Sequence, residues 1–341
     1  MNMRKSFFVS AKIWYINFLK RKDKYFFSMC LYYFLVGLSY IYQLLLFLRN
    51  KAYDYKFFPV YSVHKKVISV GNISWGGVGK TSLVSYLHTR LSSFIKVASI
   101  TKGYAKDEVM LLKNKLDNVF DSKNRVSLIR SLEKKFDLFI LDDGFQYRRL
   151  KRDLDIVIIS SREFCSSWHL LPADVLREPL KSLRRADIVV INYWRLIHNL
   201  DYWQKRLLSI NPRLKIYLSE YIPRGFLDKN RRLIKMDYFQ KKKVAVLTAI
   251  GYPQGFIDIL RKLSINIKKI FIYPDHYEFD RKDLFSIEQK LKKNDIYNII
   301  ITYKDFYHID LENAQLNYFI LDVDLKIEEE ENFFNEVKKV L

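Results

Sequence analysis

Cysteine is nearly absent from this chain: Cys30 and Cys165 are the only two in 341 residues, far apart and without the spacing of metal ligands. That excludes a disulfide framework and a zinc site, and it makes a reducing compartment the default. Acidic residues are also scarce. The 37 Asp and Glu face 59 Lys and Arg, for a formal net charge of +22. A surplus of this size favours polyanions, whether nucleic acid, nucleotide phosphates or an anionic membrane surface. Lys, Ile, Asn, Phe and Tyr are abundant throughout, however, as a biased coding composition produces, and about half of the surplus is credited to that bias. Charge is missing altogether from Phe26 to Leu48, a run of 23 residues. The run lacks a small-residue cleavage site, which argues against a removed signal peptide. No repeat or low-complexity segment is present.

The uncharged run is long enough to cross a bilayer. Basic residues flank it on both sides, Lys20, Arg21, Lys22 and Lys24 before it and Arg49, Lys51 and Lys56 after it. Charge asymmetry therefore assigns no orientation, as expected if both ends stay on the cytoplasmic side. The sequence predicts a helix lying in or dipping into the inner leaflet, with Lys and Arg on anionic lipid and Trp14 and tyrosines at the interface. A true span and a buried soluble helix are the alternatives.

Beyond it, Val67 to Leu83 reads VISVGNISWGGVGKTSL. A β-branched apolar opening predicts a buried strand, Gly76, Gly77 and Gly79 a loop, and Lys80-Thr81 a helix start. That is the layout of a phosphate-binding loop. Glycines let backbone N–H groups turn around a polyphosphate, and the helix N-terminus adds its positive end. Lys80 then reaches the β/γ-phosphates and the Thr81 hydroxyl serves Mg²⁺. The loop as a whole, Ser74, Trp75, Gly76, Gly77, Val78, Gly79, Lys80, Thr81 and Ser82, is the expected nucleotide site. One position departs from the pattern: Ser74 stands where glycine is usual. A plain Gly-rich turn would leave the Lys-Thr pair unexplained.

Apolar runs then alternate with amphipathic ones, at 96–100, 138–141, 155–159, 187–191 and 215–218 for strands and after the loop, 107–116, 125–134 and 202–208 for helices. Strand–helix alternation with a phosphate loop at the first crossover predicts an α/β fold like the phosphate-loop NTPases: a mostly parallel sheet with helices on both faces. A boundary is expected at 224–243, where Gly, Asp, Lys and Asn replace apolar runs. The expected organisation is a basic extension with a membrane-docking helix (1–60), a kinase core (61–225) and a smaller α/β domain (226–341).

The strand 138–141 ends in Asp142-Asp143, within FDLFILDDGFQYRRLKRDLDIVII. A carboxylate at such a strand end stands across from the phosphate loop and holds Mg²⁺ directly or through water. Adjacent acids point to different sides, so only one of them is expected to touch the metal directly. Arg148, Arg149, Lys151 and Arg152 follow and could grip a phosphate, although a basic run is more often a solvated face. Transfer to an alcohol also needs a group to accept the hydroxyl proton. Asp107-Glu108 opens a helix on the same sheet edge as the loop, where a plain helix cap is the competing reading. His276, in IYPDHYEF, follows a strand of the second domain beside Asp275.

Seven segments, SVGNISWGGVGKTS, LDDGFQYRRLKRDLDIV, LLPADVLREPL, RADIVVIN, AIGYPQGF, YPDHYEF and ITYKDF, resemble in order and spacing the tetraacyldisaccharide 4'-kinases. The resemblance covers about residues 30–325. It implies transfer of the ATP γ-phosphate, with Mg²⁺, to the 4'-hydroxyl of a tetraacylated glucosamine disaccharide 1-phosphate. The product would be lipid IVA, made at the cytoplasmic face of a bacterial inner membrane by a peripheral or monotopic monomer. It implies Asp107 as base and His276 as its partner from the second domain, with Lys80 and Asp143 also catalytic. Thr81 and Asp142 fall on the metal, and Glu108, Gln146, Arg148, Arg177 and Glu178 near the lipid disaccharide. The segment before Asp107 is shorter than the family's, with Lys106 and Val109 flanking the acidic pair where Gly and Pro are usual. Ser82 replaces a Pro, and Asp174 a Gly. A GTPase switch would need an NKxD motif, which neither Ile191–Trp194 nor Thr302–Asp305 supplies. An idle basic binding protein, of nucleic acid for instance, would leave LDDGFQ unexplained; no nucleic-acid partner is expected.

Overall fold

The computed structural model describes residues 26–103, 106–164, 168–311 and 313–341; the side chains of 26–28 and 106–108 lie outside that description. Two compact units emerge. Among the described residues one comprises 26–220 together with Leu325–Leu341, the other Tyr221–Asp324. The expected boundary near 226 is close to the first crossing. The last 17 residues, expected in the smaller domain, return instead to the first unit, because Ile327, Phe333 and Val337 are buried with its core.

In the first unit a helix α1 (Phe26–Asp54) precedes strand β1 (Lys66–Gly71), helix α2 (Lys80–Leu91) and β2 (Val97–Thr101). Then come α3 (Lys106–Lys115), β3 (Val119–Asp121), α4 (Arg125–Leu132), β4 (Leu138–Asp142) and β5 (Leu154–Ser160). The short α5 (Ser161–Phe164), β6 (Ile188–Asn192), α6 (Leu200–Ile210) and the first part of β7 (Lys215–Leu227) complete the run before the chain leaves. Every described pairing here is parallel, in the order β7-β6-β5-β1-β4-β2-β3. Parallel strands need crossovers, and the helices that supply them cover both faces, so β1, β2, β4, β5 and β6 are buried almost end to end. Ile68 and Val70 of β1 with Ile156 and Ile158 of β5 meet Leu83 and Leu87 of α2 on one face. Val157 and Ile159 face the other way, into a cluster that includes Leu46 of α1.

The order of strands places β1 between β4 and β5, so successive crossovers leave it in opposite directions. In open parallel sheets the carboxyl ends of strands at such a reversal frame the ligand crevice. The phosphate loop leaves β1 there, and Asp142, paired in register with Val70, ends β4 beside it.

The second unit holds a β7–β8 hairpin (β8, Leu233–Ile234), absent from the sequence expectation, which pairs Phe226 with Ile234. Its parallel strands β9 (Val244–Thr248), β10 (Ile267–Ile272), β11 (Asn298–Ile301) and β12 (Asn317–Ile327) lie in the order β10-β9-β11-β12. Helices α7 (Pro253–Lys262), α8 (Arg281–Lys292) and the single turn α9 (Tyr303–Phe306) connect them. Pro253 opens α7, where its missing N–H costs nothing. Asp280 with Asp283, and Thr302 with Asp305, form reciprocal caps that start α8 and α9. Within β12, from Leu325 onward, the chain re-enters the first unit, and it ends in α10 (Glu330–Lys338).

Candidate active site

Asn72, Ile73, Ser74, Trp75 and Val78 of the loop between β1 and α2 are held by groups from later in the chain. Asn192, at the end of β6, donates from Nδ2 to the Val78 carbonyl at 2.9 Å. The Ile73 carbonyl accepts from the Arg177 and Glu178 amides at 2.7 and 3.1 Å, and the Trp75 amide donates to Val175 at 2.8 Å. Ser74 bridges to Leu176 as an isolated antiparallel pair, and its hydroxyl donates to the buried Glu163 carboxylate. Glu163 also accepts from the Ser160 amide and hydroxyl, at 2.7 and 2.6 Å. Serine at the loop's first position is thereby explained: the backbone there is bridged like a strand, and the side chain anchors the loop. Gly79 is different. Its φ of 104° lies in the left-handed region, where a Cβ is strained, and the next residue begins α2. That helix has no acidic residue in its first turn, so its positive end stays available for an anion.

Lys80 Nζ lies 3.6 Å from an Asp143 carboxylate oxygen. Arg177 grips the same carboxylate with two bonds, 2.8 and 3.2 Å, and reaches the Asn72 side-chain oxygen as well. Lys80, Asp143, Arg177 and Asn72 thus form one charged cluster at the loop. Arg125, buried on α4, donates to the Asp143 carbonyl at 3.2 Å. Burial pushes the Asp143 carboxyl up, but Lys80, Arg177 and Arg125 outweigh it and hold the group far below the usual carboxylate range. Burial likewise opposes charge on Arg177, yet its bonds to Asp143 keep it firmly protonated. Asp143 has a φ of 51°, which turns it away from the path of its neighbour. Asp142 stays buried at the strand end, and the Arg125 guanidinium lies within electrostatic reach of both acids. Gly144 lets this turn sit against β1: a Cβ there would lie 2.6 Å from Ser69 Oγ.

Other expected site residues hold the frame. Gln146 donates to the Asn72 carbonyl at 2.7 Å. Glu178, expected near the substrate, is fully buried and accepts from Ser182 at 2.7 Å and Asn50 at 3.4 Å. Arg148, also expected there, donates to Asp54 at 2.7 Å and to the Asn50 carbonyl at 2.9 Å. Asp107 and Glu108 lie in the first turn of α3, but their side chains are outside the described residues. Among the described residues no three His, Cys, Asp or Glu side chains gather as a metal cluster. The oxygen donors Thr81 and Asp142, one hydroxyl and one carboxylate, fit Mg²⁺, which takes few protein ligands and fills the rest with water and phosphate.

In the second unit three quoted segments meet around His276. Its amide donates to the Ala249 carbonyl at 3.2 Å, and its φ is 63°. Lys304 Nζ lies 2.9 Å from Asp275 Oδ1 and 3.3 Å from His276 Nε2, while Nε2 is 3.6 Å from the other Asp275 oxygen. Lys304 thus stands against both the Asp275 carboxylate and the His276 ring. The buried Asp305 carboxylate accepts from the Ala249 and Thr302 amides, at 2.7 and 3.1 Å, and from the Thr302 hydroxyl at 2.7 Å. Burial still pushes its carboxyl above the usual value. Asp305→Ala would strand these donors, and a loss of about 3 kcal/mol is expected. Chemical denaturation of the variant checks it.

A model of the tetraacyldisaccharide-1-P 4'-kinases, LpxK, matches residues 31–341. The chain belongs to that family. It is 30% identical over 323 residues to the tetraacyldisaccharide 4'-kinase of Aquifex aeolicus, covering 87% of this chain and 95% of the relative. The corresponding enzyme of Elusimicrobium minutum is 29% identical over 343 residues, at 88% and 89% coverage. The solved LpxK structure from Aquifex aeolicus, described in complex with ATP, superposes with a TM-score of 0.68 at 27% identity, covering 91% of this chain and 99% of that one. The family resemblance and the phosphate-loop α/β architecture expected from the sequence are therefore both found. Asn192, Glu163, Asn72, Arg125 and Lys304 were not singled out as functional. Asn192 lies within RADIVVIN and Lys304 within ITYKDF, so motif position was the available signal; Glu163 carried none.

Proposed function

We propose that this chain transfers the γ-phosphoryl group of ATP to the 4'-hydroxyl of tetraacyldisaccharide 1-phosphate at the cytoplasmic face of a bacterial inner membrane, forming lipid IVA. The observation that carries the reading is the cluster of Lys80, Asp143 and Arg177 at the phosphate loop of a chain in this family. The loop amides and the start of α2 bind the β- and γ-phosphates. Lys80 and Arg177 supply fixed positive charge where negative charge spreads over the transferred group. Thr81 and Asp142 would hold Mg²⁺, which neutralises phosphate charge when bound. Asp143 keeps the two cations in place until nucleotide arrives.

Asp107 receives the acceptor's proton in this reading, with His276 assisting and Lys304 and Asp275 fixing its ring. Asp107→Ala and His276→Ala are each expected to lower kcat by about 10²–10⁴-fold while ATP still binds. Equilibrium ATP binding and turnover, measured side by side, check this; near-normal turnover in either variant removes that residue from the mechanism.

The acceptor's acyl chains stay in the bilayer, so the enzyme must reach them there. Supporting this, α1 is long and apolar enough to cross a membrane. Its half-buried and buried side chains include Tyr32, Ser39, Tyr42, Leu46, Asn50 and Tyr53, spaced along most of the helix, and Leu46 and Tyr42 join the core cluster of the first unit. A helix docked over that length favours lying on or dipping into one leaflet over a span. Tyr40, Ile41, Leu44, Leu45, Phe47 and Leu48 remain exposed to meet lipid. ADP release that depends on added disaccharide 1-phosphate in mixed micelles tests the function; release indifferent to the acceptor argues against it.

A further inference from the structure

The face of α1 turned to the first unit makes more than apolar contacts. Tyr42 Oη donates to the Arg177 carbonyl at 3.1 Å. Arg49 donates to the Gln146 carbonyl at 3.0 Å and lies 3.8 Å from Glu178. Asn50 donates to the Glu178 carboxylate, and its own carbonyl accepts from Arg148. Arg148 also pairs with Asp54 and stacks over Tyr53 with its guanidinium carbon 5.1 Å from the ring centre. Every one of these bonds ends on one of two segments. One is 143–148, which carries Asp143; the other is 177–178, which carries Arg177.

We infer that α1 is a positioning element for catalysis as well as a docking helix, with Tyr42, Arg49 and Asn50 setting where Asp143 and Arg177 stand. The three are spaced to share one helix face, opposite Ile41, Leu44 and Leu48. One helix thickness, about 10 Å, therefore separates the lipid-facing side chains from those holding the catalytic segments. Glu178 makes the coupling stiff. It is fully buried, and Ser182, Asn50, Arg49 and Arg185 converge on it, so the helix cannot shift without disturbing a buried charge. Arg177 is adjacent in the chain, and its guanidinium is what fixes Asp143 beside Lys80. Simple packing of an anchor would need only the apolar contacts of Leu46. The directed bonds to the backbone of Arg177 and Gln146 are those of a positioning device.

The inference rests on the kinase reading above, and its test separates the two. Wild type, Tyr42→Phe, the double variant Tyr42→Phe/Arg49→Met and Arg49→Lys are assayed with ATP and disaccharide 1-phosphate in mixed micelles. Co-sedimentation with phosphatidylethanolamine/phosphatidylglycerol vesicles and the thermal midpoint are measured alongside. The double variant is expected to lose about tenfold to a hundredfold in kcat, the range set by sub-ångström misplacement of reacting groups. Its KM for the lipid and its vesicle-bound fraction should stay at wild-type values. Arg49→Lys, which keeps the charge, should retain most of the turnover. Tyr42→Phe removes a single oxygen and should show a smaller loss of the same kind, which serves if the double variant does not fold. Wild-type kcat in both Tyr42 variants, or a loss confined to KM and vesicle binding, overturns the inference and leaves α1 an anchor only. Wild type that makes no product overturns the kinase reading instead.

Discussion

Asp143→Ala is expected to reduce phosphoryl transfer by at least about 10²–10³-fold, the cost of removing one preorganised charged group from a site of this kind. The reason lies in what Asp143 touches. Its carboxylate takes two bonds from Arg177 and lies 3.6 Å from Lys80. Without it two largely buried cations repel each other across the loop, and both lose the position from which they meet the transferred phosphoryl group. Folding stability should fall too, by about 2–3 kcal/mol, since the pair is only partly exposed. ATP restores part of that loss, because the triphosphate supplies the missing negative charge, so the thermal shift on adding nucleotide should be larger in Asp143→Ala than in wild type. The sign of the pH dependence follows from the lowered pKa. The contribution of Asp143 is complete above the ordinary carboxylate value of about 4 and is lost as pH falls through its still lower folded-state value. Turnover between roughly pH 6 and 9 should therefore carry no ionisation from Asp143. A variant with wild-type turnover would remove Asp143 from the site.

Membrane association should collapse when the outward face of α1 is made polar while its inward face is kept. Ile41, Leu44, Leu45 and Leu48 are 58, 56, 59 and 54% exposed. Replacing all four by serine removes about 4 kcal/mol of transfer free energy if each contributes about 1 kcal/mol, close to a thousandfold in partition. Tyr42, Leu46 and Asn50 are untouched, so the phosphate loop keeps its supports and ATP binding should not change. Vesicle co-sedimentation and equilibrium nucleotide binding, measured on the same preparation, check both halves. An undiminished membrane-bound fraction would exclude this face as the anchor. The loss expected here, in partition and apparent KM, is the complement of the kcat loss expected from Tyr42 and Arg49.

Much of this architecture could be read from residue pattern. Buried parallel strands are short, continuous apolar runs, and those at β2, β4, β5 and β6 begin and end within a residue of the expected positions. The phosphate loop and Asp142-Asp143 were legible because phosphate chemistry fixes glycine, lysine and carboxylate at strand ends. What stayed hidden depends on contacts between distant segments. Glu163 lies 89 residues from Ser74, and no local pattern announces their bond. Glu178 sits in a motif that resembles a substrate-contacting segment, yet burial assigns it to the frame. The final helix was expected with the second unit because it follows β12, but Phe333 and Val337 pack against the face of α2. The β7–β8 hairpin was missed because its Gly, Asp, Lys and Asn read as a linker. Lys304 is legible in the sequence only as part of a motif, since its meaning depends on its distance to His276.

The central claim is that Lys80 and its charged neighbours deliver a phosphoryl group from ATP to a membrane-bound sugar hydroxyl. The most direct test gives the full chain ATP radiolabelled at the γ-phosphate and disaccharide 1-phosphate in mixed micelles, then locates the label in the lipid product. The account predicts label on the 4'-oxygen with wild type and almost none with Lys80→Ala. Label appearing only as free phosphate, or an undiminished yield of labelled lipid from Lys80→Ala, would contradict it.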